Sequence, residues 1–103
     1  MTKNLKEKAI DIKGKKYILV SDRIIFFNET YPNGAIRTKL LSAPQDQHIV
    51  IKAYIYPDIK NKRVFTGHSQ AVIGEGYINK TSALENAETS AVGRALAMMG
   101  IGV

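Results

Sequence analysis

Basic and aromatic side chains share one face of two neighbouring β-prone segments. The members of this face are Arg37 and Lys39 in residues 35–42, and Lys52, Tyr54 and Tyr56 in residues 48–56. Cations so placed can contact phosphates while a ring stacks on an unpaired base. The same composition is common on the solvent-facing side of an antiparallel sheet. This face is therefore a candidate nucleic-acid surface, although exposed faces of antiparallel sheets are more often simply polar.

Other chemistry finds little support in the sequence. His48 and His68 lie on separate predicted strands, and their spacing forms no metal-ligand cluster. Glu85 and Glu88 lie one helical turn apart, where solvated charge is the simplest interpretation. Gly74-x-Gly76 lacks the third glycine of a dinucleotide fingerprint. We therefore expect a protein that is not an enzyme and uses no metal or other cofactor.

Length and composition indicate a single globular domain. The chain has 103 residues, of which 45% are apolar and 23% charged, as in ordinary folded proteins. Cysteine is absent, which excludes disulfides and thiolate metal sites. The longest apolar run, residues 24–27, is too short to span a membrane. No apolar stretch of signal-peptide type follows the lysine-rich N-terminus. We expect a cytoplasmic protein without a membrane partner.

The positive charge is concentrated near the N-terminus. The chain carries 15 Lys and Arg against 9 Asp and Glu, a net charge of +6. Residues 1–16 hold six lysines and two acidic residues, and so account for +4 of that charge. We predict a basic leader at residues 1–12, containing a short helix, before one α+β domain at residues 13–103 that binds DNA and oligomerises. Net charge alone fits a solvated leader and a phosphate-attracting arm equally well.

Three segments have the period-two alternation of half-buried strands: residues 35–42, 48–56 and 63–73. The second is the clearest, because Ile49, Ile51, Ala53 and Ile55 alternate with more polar residues. Short connections between consecutive strands favour an antiparallel meander.

Helices are predicted on both sides of this meander. Ser21 or Asp22 can cap a helix that runs to about Tyr31, before a Pro-Asn-Gly turn. Thr81 or Ser82 can begin the last helix, with Ser82-x-x-Glu85 as a capping box and Gly100 as its stop.

Alanine recurs at every fourth position of the last helix, at Ala83, Ala87, Ala91 and Ala95. Such a row allows the helix to lie close to a sheet. The predicted fold is therefore α+β: an N-terminal helix, a three-stranded antiparallel β-meander and a long C-terminal helix packed across the sheet.

The last helix also carries a distinctive string of residues. Lys80 precedes Ser82-Ala-Leu-Glu85, and Arg94-Ala-Leu96 is followed by Gly100. Together with the segment from Asp22 to Gly34, this string resembles the Rad-fifty-two superfamily of single-strand annealing proteins, particularly its small phage members. The helix–three strands–helix order is similar to the core of that family.

The resemblance implies binding of single-stranded DNA and annealing of complementary strands without ATP, in recombination and repair, by a homo-oligomeric ring or filament. It implies phosphate contacts at Arg23, Lys80 and Arg94. The candidate DNA-binding residues are then Arg23, Arg37, Lys39, Lys52, Tyr54, Lys80 and Arg94. The larger relatives carry more basic residues beside Arg-Ala-Leu, where this chain has Gly93 and Ala97.

Two alternatives remain open at this point. The chain could bind single-stranded DNA without annealing it, or it could be a non-catalytic interaction module with an incidental basic tail. Backbone binding predicts strong salt dependence and low sequence specificity. A salt titration of oligonucleotide binding therefore separates both DNA-binding hypotheses from the interaction module.

Overall fold

The protein is an α+β domain, as predicted from its sequence. A computed structural model describes residues 5–12, 15–43, 47–73 and 80–102. The elements are a 3-10 helix at Leu5–Lys8, β1 (Ile10–Ile12), β2 (Lys15–Tyr17), α1 (Val20–Thr30), β3 (Ala35–Leu40), β4 (His48–Tyr56), β5 (Phe65–Val72) and α2 (Lys80–Met98). Across these ranges, no helix combines the length and apolarity that crossing a membrane requires.

Strands β3, β4 and β5 form an antiparallel sheet in that order, with β4 in the centre. The two edge strands are shorter than predicted, at 35–40 and 65–72, whereas β4 has the predicted bounds. Residues directly opposite one another in an antiparallel pair point to the same face. The register pairs Ala53 with both Thr38 and Gly67, which places all three on one face of the sheet.

That face is the apolar one, and α2 covers it. The four alternate residues of β4 at 49, 51, 53 and 55 are buried, and so are the four alanines of α2 that recur every fourth residue. Gly67 of β5 permits a close approach of α2, because a Cβ there would lie 2.5 Å from the Ala95 backbone nitrogen. The predicted packing of a small-residue helix on the sheet is thus confirmed.

Helix α1 begins earlier than predicted and without a side-chain cap. Its N-cap residue is Leu19, whose carbonyl accepts the backbone N–H of Asp22 and Arg23. Ser21 and Asp22 therefore lie inside the first turn. The helix is fixed by its apolar side instead, because Phe27 is fully buried and its ring stacks on Tyr31 with centroids 5.1 Å apart.

Helix α2 begins at Lys80, so Ser82 lies within the first turn and the predicted capping position is wrong. Its end is as predicted. Gly100 adopts a φ of +85°, and its N–H donates to the Ala97 carbonyl. The Ile101 N–H reaches back to the Leu96 carbonyl at 3.0 Å. This pair of hydrogen bonds is the Schellman arrangement, accompanied by burial of Ile101 and Leu96.

The N-terminal segment contains two paired strands in addition to a short helix. The helical prediction for residues 1–12 holds for Leu5–Lys8 as a single 3-10 turn, after which Ile10–Ile12 forms a strand. Ile10 pairs with Tyr17, and Asp11 pairs with Lys16. Lys15 and Lys16 therefore belong to β2, while Lys13 and Gly14 lie outside the described residues. Each of these strands has only three residues, which is too short for an alternation of apolar and polar residues to predict it from the sequence.

Candidate nucleic-acid interface

The face of the sheet opposite α2, here called the open face, collects four of the seven candidate residues. The register places Arg37, Tyr54 and Thr66 in one row across the three strands. The next row contains Lys39, Lys52 and His68. The alternation predicted this grouping, and the antiparallel register produces it. A binding role for these residues remains a prediction.

Cations and rings are in contact on the open face. The Lys52 ammonium lies 5.0 Å from the centroid of the Tyr54 ring, and the Arg37 guanidinium lies 5.9 Å from that of Tyr56. Both rings are partly buried, whereas Arg37 and Lys39 are exposed. Such cation–π contacts stabilise by about 0.5–1 kcal/mol at exposed sites. These contacts hold the positively charged groups beside the aromatic rings and so restrict the motion of the Lys52 and Arg37 side chains.

Strands β3, β4 and β5 contain no Asp or Glu. Thr38, on the covered face, donates a hydrogen bond of 2.7 Å to Glu88 of α2, so that carboxylate lies on the helix side of the sheet. The three cations of the open face therefore have no acidic neighbour within their own strands. A surface of one sign concentrates ligands of opposite charge and accelerates their association.

Further cations lie in the β4–β5 connection, residues 57–64. Lys60, Lys62 and Arg63 are exposed, and Arg63 lies 4.9 Å from the centroid of the Phe65 ring. The loop is ordered by side-chain acceptors: Asp58 accepts the Lys60 N–H, and Asn61 accepts the Arg63 N–H. These cations lie outside the rows of the open face, so they provide a comparison for the charges of that face.

Arg23 and Arg94 lie away from the open face, in a groove between α1 and α2. Arg23 Nε donates to the Ile18 carbonyl at 3.0 Å, and Arg94 Nη1 donates to the His68 carbonyl at 3.3 Å. The second bond ties α2 to edge strand β5. The structure thus brings these two candidates to one place and separates them from Arg37, Lys39 and Lys52. Lys80 begins α2, and its side chain lies outside the described residues.

The described residues contain no group of His and carboxylate side chains arranged to hold a metal ion. The arrangement that they do contain is suited to contacting phosphates and stacking on rings. Both are binding functions, which need no reactive group.

Comparison with known families gives a match over residues 24–99, about three quarters of the chain, to the family described as Slr1353 N-terminal dsRNA-binding domain-like. The chain belongs to this family. The matched region starts within α1 and ends just after α2, so it spans the sheet and both flanking helices. Searches of curated proteins and of solved structures found no match.

This result corrects the resemblance to the Rad-fifty-two superfamily, since the matching family is a different one. The structure shows what the shared residue types do instead. Ala83, Ala91, Ala95 and Leu96 are buried against the sheet, and Gly100 ends the helix with positive φ. A small-residue stripe with a glycine stop is what any helix packed closely on a sheet requires. The string therefore indicated the fold correctly and the family wrongly.

Proposed function

We propose that this chain is a non-catalytic nucleic-acid-binding domain whose open face contacts the phosphate backbone. The observation that carries the proposal is the grouping of Arg37, Lys39 and Lys52 on a sheet whose strands hold no carboxylate. Membership of a dsRNA-binding domain-like family supports the same class of ligand.

Duplex RNA is the first candidate ligand, because the family is named for its likeness to domains that bind it. Domains of that kind recognise the shape of the A-form helix and its phosphates more than its base sequence. Cations spread over a rigid sheet suit this type of contact, since they reach phosphates and need no access to base edges.

Single-stranded nucleic acid is the second candidate, favoured by Tyr54 and Tyr56 among the cations. An unpaired base can stack on such a ring, with a contribution of about 1–3 kcal/mol per base, whereas a duplex keeps its bases within the helix. Strand annealing and assembly into a homo-oligomer rested on the corrected resemblance. They remain predictions that an annealing assay and light scattering test.

The deciding experiment measures binding to fluorescent duplex RNA, duplex DNA and both single strands over a salt series. The variant R37Q/K39Q/K52Q is compared with K60Q/K62Q/R63Q, which removes the same charge from the β4–β5 loop. We expect the open-face variant to bind more weakly. The slope of the logarithm of its binding constant against the logarithm of salt concentration should become less steep by roughly two to three units, about one for each phosphate contact. Equal losses in both variants would show that net charge, and not the open face, determines binding.

A further inference from the structure

His68 lies on the open face, in the same row as two of its lysines. Lys52 of β4 stands directly opposite His68, and Lys39 of β3 stands opposite Lys52 on the other side. Residues directly opposite one another in an antiparallel pair have Cβ atoms about 4.5–5.5 Å apart. His68 is exposed, whereas Gly67 and Ser69 on either side of it are buried towards α2. The imidazole therefore belongs to the surface for which we propose phosphate contacts.

The charged and titratable groups around His68 are cations and one phenol. From β4, Lys52 faces it directly and Tyr54 diagonally, while Lys39 completes the row from β3. From α2, Arg94 Nη1 donates to the His68 carbonyl at 3.3 Å and so ties the backbone at this position to the helix. The three strands contain no Asp or Glu. A protonated imidazole in this row therefore has no carboxylate of the sheet to pair with, and its charge adds to the positive field of the open face.

Histidine is the side chain whose charge ordinarily changes between about pH 5 and 8, and the chain contains two histidines. When protonated, imidazole is a cation that donates hydrogen bonds from both ring nitrogens. Lysine and arginine stay charged throughout this pH range, and so do the phosphodiester groups of a nucleic acid. A change of pH across this range therefore alters the charge of this row only through His68.

We infer that His68 is a further phosphate-binding residue of the open face, which contributes a cation only when it is protonated. The surface then binds nucleic acid more tightly below neutral pH, because the row of Lys39 and Lys52 gains another positive charge. Deprotonation of the imidazole removes that contact as the pH rises. This inference rests on the proposed function, since it concerns the same surface and adds a dependence of binding on pH.

His48 provides the matched control on the same surface. It is also exposed on the open face, but it pairs with Val72, and the row between it and the lysines contains Val50 and Gln70. Four residues along a strand correspond to roughly 13 Å, which exceeds the Debye length of about 8–10 Å at ordinary salt concentrations. The two histidines therefore separate protonation within the lysine row from protonation elsewhere on the face.

The test measures binding of fluorescent duplex RNA and of a single strand, both without terminal phosphates, over a salt series at about pH 5.5 and about pH 7.5. In wild type and H48Q, affinity should be about threefold to tenfold higher at the lower pH. The slope of the logarithm of the binding constant against the logarithm of salt concentration should also be steeper there by roughly 0.7–0.9, the value for one additional phosphate contact. In H68Q both differences should vanish.

The variant H68K keeps the test decisive if H68Q fails to fold, because lysine retains its charge at both pH values. At the higher pH, H68K should bind as tightly as wild type binds at the lower pH, and its affinity should no longer depend on pH. Weaker binding by H68K than by wild type at the higher pH would overturn the inference.

Three other outcomes would also overturn the role of His68: no pH dependence in wild type, the wild-type pH dependence in H68Q, or its loss in H48Q instead. The variant R37Q/K39Q/K52Q separates this failure from failure of the proposed function. If that variant binds as tightly as wild type, the open face is not the binding surface. If it binds more weakly while H68Q keeps the wild-type pH dependence, only the role of His68 is refuted.

Discussion

The Gly67→Ala substitution tests a close contact between α2 and the sheet. The added Cβ would lie 2.5 Å from the Ala95 backbone nitrogen and 2.7 Å from the Ala91 carbonyl oxygen. Both neighbours are backbone atoms in the middle of α2, so no side-chain rotation can relieve the contact. Since carbon atoms in optimal contact lie about 3.5–4.0 Å apart, α2 must move roughly 1 Å away from β5.

Such a displacement affects the whole interface. A gap of about 0.5–1 Å forfeits a quarter to a half of the dispersion energy of the atoms on either side. Overpacking in cores costs typically about 1–3 kcal/mol, and we expect the upper end of that range because rigid backbone must move. For a domain of this size the melting temperature should fall by roughly 12–24 °C, at about 4–8 °C for each kcal/mol.

Two other glycines provide matched controls. A Cβ at Gly100 meets nothing within 4 Å, but its φ of +85° makes Gly100→Ala cost about 1 kcal/mol in backbone strain. At Gly93 the added Cβ meets a Val20 side-chain methyl at 2.9 Å, which is less close than the backbone contacts at Gly67. There, the gain in helix propensity of up to about 1 kcal/mol offsets the crowding.

In urea unfolding, the loss in free energy of unfolding should therefore be largest for Gly67→Ala, smaller for Gly100→Ala and smallest for Gly93→Ala. A difference of up to about 0.5 kcal/mol in the free energy of unfolding is usual for surface substitutions. If Gly67→Ala differed from wild type by no more than that, the close approach of α2 would be refuted. A loss larger for Gly100 than for Gly67 would refute the same reasoning.

Three further predictions concern stability and binding. Phe27→Ala should destabilise by about 3–5 kcal/mol in urea unfolding, because the ring is fully buried; a loss below about 1 kcal/mol would contradict its place in the core. Tyr54→Ala should weaken single-strand binding by about 1–3 kcal/mol with little effect on duplex RNA; equal losses on both ligands in fluorescence anisotropy would exclude base stacking there. Thr38→Val removes an exposed hydrogen bond to Glu88 and should change the free energy of unfolding by less than about 1 kcal/mol, whereas a larger change would give that contact a structural role.

The sheet could be predicted because its signal is local and strong. In β4, Ile49, Ile51 and Ile55 alternate with polar residues, and a period of two assigns each side chain to a face. The connections between strands are too short for a crossover, so antiparallel pairing follows. The grouping of Arg37 with Tyr54 on the open face therefore needed no tertiary information.

The groove between α1 and α2 could not be predicted in the same way. Its two arginines are brought together by the angle at which α1 meets α2, and that angle depends on Gly93 and Val20 packing against each other. No pattern in the sequence identifies Gly93 or Val20 as a contact between the helices. The start of α1 was missed for a related reason: its position is set by burial of Val20 and Phe27, while the favourable capping residues lie inside the helix.

The incorrect family assignment has its own physical cause. A helix that packs closely on a sheet needs small residues at every fourth position. Its last carbonyl groups also need hydrogen-bond donors, which a terminal glycine helps to provide. Alanine stripes and glycine stops therefore occur in many proteins with this packing. In α2, Ala91 and Ala95 meet Gly67 at backbone distance, and Gly100 closes the helix. Two residues of the string, Lys80 and Arg94, were candidates for binding a ligand; Arg94 lines the groove, and the Lys80 side chain lies outside the described residues. A motif composed mainly of packing residues therefore supports a fold more strongly than it supports a ligand, and the charged residues outside it are the ones to test.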